Sequence, residues 1–197
     1  MKIGIGAAIG AIAAFLVGRA MTARAKRRGT AGPEEMYWGL RGIALQTRPE
    51  DIGLSPIGDR EPYAIVMDMD VSGKTATITS FASRDASLYV STGGGTIGSG
   101  QASQDVAAAA KQFVKAAATH LEAMTKSDKQ PVPQPGQVTF YVVTRECIYS
   151  VSRSKQALGD GKDPLSPLFF AGQEVLTQIR LLQEQQDQER AERNRPD

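Results

Sequence analysis

Cysteine is almost missing from this chain. With Cys147 alone no intrachain disulfide can form, which excludes a disulfide-stapled secreted fold. Histidine is as scarce: His120 stands by itself, so one chain cannot assemble a Cys/His zinc cluster. Aromatic residues make up 6% of the chain, with Trp38 the sole tryptophan. Acidic residues are absent before Gly29, where Lys2, Arg19, Arg24, Lys26, Arg27 and Arg28 supply all the charge. From Gly29 onward 17 basic residues face 21 acidic ones, so the body is net negative and the pI near 8.7 belongs to the N-terminal arm. That balance argues against a nucleic-acid-binding face on the body.

The arm carries an uncharged run, Ile3 to Gly18. As a helix it would span about 24 Å, against a hydrocarbon core of about 30 Å, and Lys2 and Arg19 can snorkel to make up the difference. Five basic residues follow the run and one precedes it. This asymmetry predicts an uncleaved single-pass anchor in the plasma (inner) membrane with the folded domain on the cytoplasmic side. Two readings compete: a signal peptide cleaved at Ala23-Arg24-Ala25, and an interfacial or buried helix. Gly6, Gly10, Ala14 and Gly18 share one helical face and are the candidate residues for association within the membrane.

The expected organisation is an anchor with its basic flank (1–28), a linker with short helical cover (29–62), an α+β domain (63–182) and a polar helical extension or tail (183–197). Pro33 opens a helix in which Met36, Leu40 and Ile43 recur at helical spacing, with Trp38 expected to pack it on a sheet. From Tyr63 the period changes to two: Ile65, Met67, Met69 and Val71 share one strand face, and Asp68 and Asp70 lie on the other. Ser72-Gly73 turns the chain into a second strand ending at Phe81, and Ser87 to Ser91 form a third. Ser103 is placed to cap a long helix whose buried stripe is Val106, Ala110, Phe113, Ala117, Leu121 and Met124, with Lys126 at its last turn. After an extended connector holding Pro131, Pro133 and Pro135, Val138 to Thr144 and Cys147 to Ser152 make a second hairpin. Ser166-Pro167 is expected to cap the last helix, with Leu168, Val175, Ile179 and Leu182 buried. The polar run from Gln183 lacks the apolar repeat of a coiled coil. The expected fold is thus α+β, a mainly antiparallel sheet of about five strands covered by the long central helix and the C-terminal helix.

Between the third strand and the long helix lies Gly93-Gly94-Gly95-Thr96-Ile97-Gly98-Ser99-Gly100. Glycines let a backbone approach a phosphate, and free N–H groups at a helix start attract anions, so Thr92, Gly93, Gly94, Gly95, Thr96, Gly98, Ser99 and Gly100 are the phosphate- or ligand-binding candidates. Gly93, Gly95 and Gly98 match the dinucleotide fingerprint, but the proline-rich connector and hairpin that follow do not continue a dinucleotide fold. The loop also resembles the GGGTGSG signature of tubulin-type GTPases, with Ile97 inserted, over these eight residues alone. No Walker lysine follows. A close-packed connection and a protein-docking loop are the other two readings, the close-packed one preferred. The order of elements is loosely similar to profilin-like and roadblock-type modules, which bears on fold and not on function.

Two further constellations are candidates. Asp68, Asp70 and Asp85 at one end of a sheet could hold a divalent cation, although solvated strand-face carboxylates are the simpler reading. Cys147 with His120 could serve a cysteine hydrolase, although no third group orients the pair. No cofactor and no metal site is expected. The composite expectation is a membrane-tethered cytoplasmic interaction or assembly module without catalytic activity, its partners being the membrane and proteins, including a second copy of itself. The alternative is a phosphate- or nucleotide-binding protein using Gly93 to Gly100.

Overall fold

The computed structural model describes residues 32–54 and 57–194. The expected anchor, with Gly6, Gly10, Ala14 and Gly18, lies outside them. Among the described residues no helix is long and apolar enough to cross a membrane.

Helix α1 (Pro33–Gln46) starts on Pro33 with Glu34 and Glu35 in its first turn, where the free N–H groups favour negative charge. A 3-10 turn (Pro49–Ile52) follows. Strands β1 (Ala64–Val71) and β2 (Lys74–Phe81) form a hairpin. Ser72 and Gly73 both take positive φ there, the signature of a tight hairpin turn, and Asp70 accepts the Gly73 N–H at 3.0 Å. β3 (Ala86–Val90) continues the meander. The glycine-rich segment contributes the two-residue strand β4 (Gly95–Thr96) and leads into the four-residue helix α2 (Ser99–Ala102) and the long helix α3 (Gln104–Thr119). A second two-residue strand, β5 (Thr125–Lys126), precedes the proline-rich connector. Strands β6 (Gln137–Val143) and β7 (Ile148–Ser154) form the second hairpin, closed by Thr144 bonding Cys147 through both backbone and hydroxyl. A short helix α4 (Lys155–Gly159) leads to α5 (Ser166–Arg193), 28 residues that include most of the polar extension.

Among the described residues the sheet has seven antiparallel strands rather than about five, in the order β4-β3-β2-β1-β6-β7-β5. The two additions are the short edge strands, β4 on β3 and β5 on β7. Neither is long enough to show an alternating pattern, and β4 sits among glycines that disfavour strands. Lys126 therefore lies in an edge strand and not in the last turn of α3.

One sheet face packs against α3 and α5. Ile65, Met67 and Met69 of β1 share it with Ile78 of β2 and Val138, Phe140 and Val142 of β6. The expected stripe is buried there from Val106 to Met124, with Leu168, Val175 and Ile179 of α5, but α3 ends at Thr119: Leu121 belongs to a 3-10 turn (Leu121–Ala123) and Met124 follows it. Ser103 caps α3 through Val106 N–H. Ser166 does not cap α5. Leu165 takes that position, its N–H accepted by Asp163, and the Ser166 hydroxyl is buried without a partner.

The opposite face is covered by α1, in an orientation the sequence pattern does not anticipate. Tyr37, Arg41, Ala44 and Leu45 face the sheet, whereas Met36 and Ile43 point to solvent and Leu40 is half-buried. Trp38, expected to pack on the sheet, is 44% exposed. The reason lies in the surface beneath, which carries hydroxyls and a carboxylate and so takes an arginine and a tyrosine in preference to methionine.

Candidate functional site

The surface under α1 follows from strand register. Asp68 of β1 stands opposite Thr77 of β2 on one side and Thr139 of β6 on the other, and Thr77 stands opposite Tyr89 of β3. One residue pair further along, Val66 faces Thr79 and Tyr141, and Thr79 faces Ser87. Side chains directly opposite share a face, so these positions form one patch of mostly polar side chains, and all are buried.

Arg41 reaches into this patch. Its Nε and Nη2 donate to Asp68 Oδ2 at 2.8 and 2.6 Å, and the Thr77 hydroxyl donates to Asp68 Oδ1 at 2.5 Å. The Tyr37 hydroxyl bonds the Thr77 hydroxyl at 2.9 Å. On the far side the Arg41 guanidinium lies 5.3 Å from the Tyr141 ring centroid, and Tyr141 donates to the Pro131 carbonyl of the proline-rich connector. The carboxylate read as solvent-facing is thus fully buried and paired with a residue 27 positions earlier. Burial pushes the Asp68 carboxyl up, against the Arg41 and Thr77 hydrogen bonds that favour its charge. Burial opposes the charge of Arg41 too, but there the Asp68 hydrogen bond and charge prevail and raise its pKa. Desolvation, with the Asp68 charge, pushes the Tyr141 phenol up to about 12.

Apart from Asp68, the sequence pattern does not single these residues out. A legible trace exists all the same: Tyr37, Arg41, Ala44 and Leu45 have helical spacing, and Asp68 interrupts the apolar row Ala64–Val66 on its strand face.

The candidate loop residues lie at one end of the groove that holds α1. Gly93 N–H donates to the Val90 carbonyl, and Val90 N–H donates back to the Gly94 carbonyl, closing a tight turn into β4. Gly98 N–H goes to the Ser87 hydroxyl at 3.3 Å, and Gly100 N–H to Asp85 Oδ1 at 3.2 Å. Ser99 bonds Thr96 through their hydroxyls at 2.9 Å. Several donors that could have met a phosphate are thus spent within the chain, and a carboxylate already sits where the N-terminus of α2 would attract an anion. Asp85 also accepts the Ala86 N–H at 2.8 Å, yet burial raises its pKa. Two of the glycines are sterically required. A methyl group at Gly95 would overlap the Leu88 carbonyl oxygen, and one at Gly100 the Arg84 carbonyl oxygen. This is the geometry of a close-packed connection. Thr92 lies in the same turn, and Gly93 packs against Pro33, the first residue of α1.

The three aspartates of the candidate cation site are occupied separately: Asp68 by Arg41 and Thr77, Asp70 by the backbone of Gly73 and Gly136, Asp85 by that of Ala86 and Gly100. No group of three His, Cys, Asp or Glu residues among the described ones could hold a metal ion. Cys147 is half-buried in the β6–β7 turn, and His120 forms the C-cap of α3.

The described assembly is therefore a polar groove on one sheet face, filled by α1 and rimmed by the glycine-rich turn at Pro33 and the proline-rich connector at Arg41. Comparison of the chain with protein families, with curated proteins and with solved structures finds no match.

Proposed function

We propose that this protein is a non-enzymatic interaction module, held by its first 28 residues at the cytoplasmic face of a membrane, that engages protein partners through the outward side of α1. The observation that carries the reading is the solvent-facing apolar stripe of α1: Met36 is 50% exposed and Ile43 36%, with half-buried Leu40 between them at helical spacing. Scattered exposed apolar residues are ordinary, but three in register on one helix face make the kind of anchor row that a groove or a second helix recognises. The stripe begins eight residues after Arg28, so a membrane anchor in the first 28 residues would present it close to the lipid surface. The charge asymmetry of the arm supports the orientation, and the internal use of the loop's N–H groups favours protein contact over phosphate binding.

The test is site-specific photocrosslinking in native membranes. A photoreactive residue at Met36 or Ile43 should give one discrete adduct, and the same group at Glu174 on α5 should give none. Replacing Met36 and Ile43 by serine should abolish the contact while shifting stability by about 0.5 kcal/mol or less per site. Recovery of the full chain in the soluble fraction, or identical adduct patterns at all three positions, would overturn the reading.

A further inference from the structure

We infer that α1 is an exchangeable ligand of the groove beneath it, and that a second copy of this chain can supply the occupant, so that two protomers dimerise by trading their first described helices. The inference rests on the interaction-module reading, because it names a second copy as one of the partners. Three observations carry it.

The groove is chemically selective for this helix. Asp68 is fully buried at its floor, and only a guanidinium placed as Arg41 is placed satisfies Oδ2 twice while Thr77 holds Oδ1. Any occupant without that cation leaves a buried carboxylate poorly paired, so a generic amphipathic helix is a poor substitute. The α1 of another copy meets the requirement by identity.

The rest of the fold does not depend on which copy supplies α1. The large core between the sheet and helices α3 and α5 contains no α1 residue. Among the described residues the one apolar cluster that α1 joins is small, made of Ala44 and Leu45 with Val66 and Tyr141 and the flanking Phe81 and Ile148. An element that shares so little of the core belongs to the low-stability end of a structure, which opens before the body does.

The joint is short, and one hydrogen bond ties it to the body, from the Tyr63 hydroxyl to the Thr47 carbonyl at 2.9 Å. Thr47 (φ −58°, ψ 133°) and Arg48 (φ −96°, ψ 153°) are both extended, and they alone separate α1 from the 3-10 turn. Pro49 bars Arg48 from the helical conformation, so α1 cannot run on into the turn. The turn itself is fixed to the body by the Glu50–Arg145 ion pair and by burial of Pro49. A short joint between a separable helix and a fixed body is the arrangement from which domain swapping proceeds. Every contact under α1 is reproduced between copies, so exchange costs association entropy and what the joint gives up, the Tyr63–Thr47 hydrogen bond included, and tethering two copies to one membrane would lessen the entropic part.

Charge reversal tests this on the full chain in detergent. Arg41→Asp in one chain sets a second carboxylate against Asp68, and Asp68→Arg in another sets two cations together. Each variant by itself is mismatched whether α1 stays or swaps. Mixed, the two satisfy each other only by exchange: the reversed α1 of the first meets the arginine introduced into the groove of the second, and the native α1 of the second meets the native Asp68 of the first. Native mass spectrometry of the co-refolded mixture should show heterodimer exceeding either homodimer by about tenfold or more, the ratio set by a penalty above about 1.4 kcal/mol for opposed like charges. Because a reversed chain can fail to fold, exchange is also read on an otherwise native chain: Pro33→Cys and Gly93→Cys in a Cys147→Ser background set a thiol on α1 beside one on the groove rim. Oxidation after co-refolding 14N- and 15N-labelled chains should give disulfide-linked dimers that carry both isotopes. Disulfides formed only within single chains would overturn exchange. If exchange fails while the Met36 and Ile43 adducts persist, the interaction reading stands without it; if those adducts fail as well, both fall.

Discussion

Replacing Arg41 by methionine removes the cation and keeps most of the aliphatic volume, so the loss reports on Asp68. In the variant Asp68 remains fully buried with one hydrogen bond, from Thr77. Breaking a buried ion pair on one side costs about 3–5 kcal/mol. Protonation sets a ceiling, because an ordinary aspartate pKa near 3.9 and about 1.4 kcal/mol per unit mean that about 4 kcal/mol neutralises Asp68 at pH 7. The expected destabilisation is therefore about 3–4 kcal/mol at pH 7, a large part of a typical stability of about 5–15 kcal/mol. In the variant the native state holds a proton that the unfolded chain releases, so the cost should shrink as the pH is lowered toward the ordinary carboxylate range. Arg41→Met combined with Asp68→Asn removes both charges and should recover about half the loss or more. Urea denaturation followed by circular dichroism gives the global transition. Trp38, on α1 with the Arg41 guanidinium 5.9 Å from its ring centroid, reports locally by fluorescence. If α1 opens before the body, the fluorescence transition of the variant should precede the dichroism transition, and the global cost will be correspondingly smaller. Coincident transitions with a cost below about 1 kcal/mol, or a double variant no more stable than Arg41→Met, would refute the role given to the pair.

Two further outcomes follow from the loop. Asp85 is pushed up by burial, so its folded pKa exceeds the unfolded one and folding takes up a proton between the two. The wild type should therefore gain stability relative to Asp85→Asn as the pH falls from neutral through the raised value, and stop gaining below the ordinary carboxylate value, as read from melting curves of both proteins. Gly100→Ala should destabilise by about 1–3 kcal/mol through overlap with the Arg84 carbonyl, and a nucleotide panel should leave the wild-type melting temperature unmoved. Stabilisation by a nucleotide that Thr96→Ala and Ser99→Ala abolish would restore the phosphate reading. Gly95→Val is unsuited to that control, since its side chain would overlap Leu88 whether or not a ligand binds.

The elements that bury one face against a continuous apolar core were legible in the residue order. The alternation of Ile65, Met67 and Met69, the helical stripe from Val106 to Ala117, the Ser103 cap and the Ser72-Gly73 turn all appear where periodicity and turn chemistry put them. The segregation of charge between the arm and the body is likewise a property of the sequence alone. The tertiary structure decided everything on the other face. Periodicity groups residues onto a shared side without saying what covers it: Met36, Leu40 and Ile43 do recur along α1, but Tyr37, Arg41, Ala44 and Leu45 face the sheet and Trp38, expected there, does not. A carboxylate is solvated or buried according to whether a cation reaches it, and the one that reaches Asp68 comes from a helix 27 residues away. The glycines of the loop admit a phosphate reading beside the preferred close-packed one, and only the placing of the Leu88 and Arg84 carbonyls and the Asp85 carboxylate shows what they pack against. Local order sets which residues travel together; only packing of distant segments sets what each side meets.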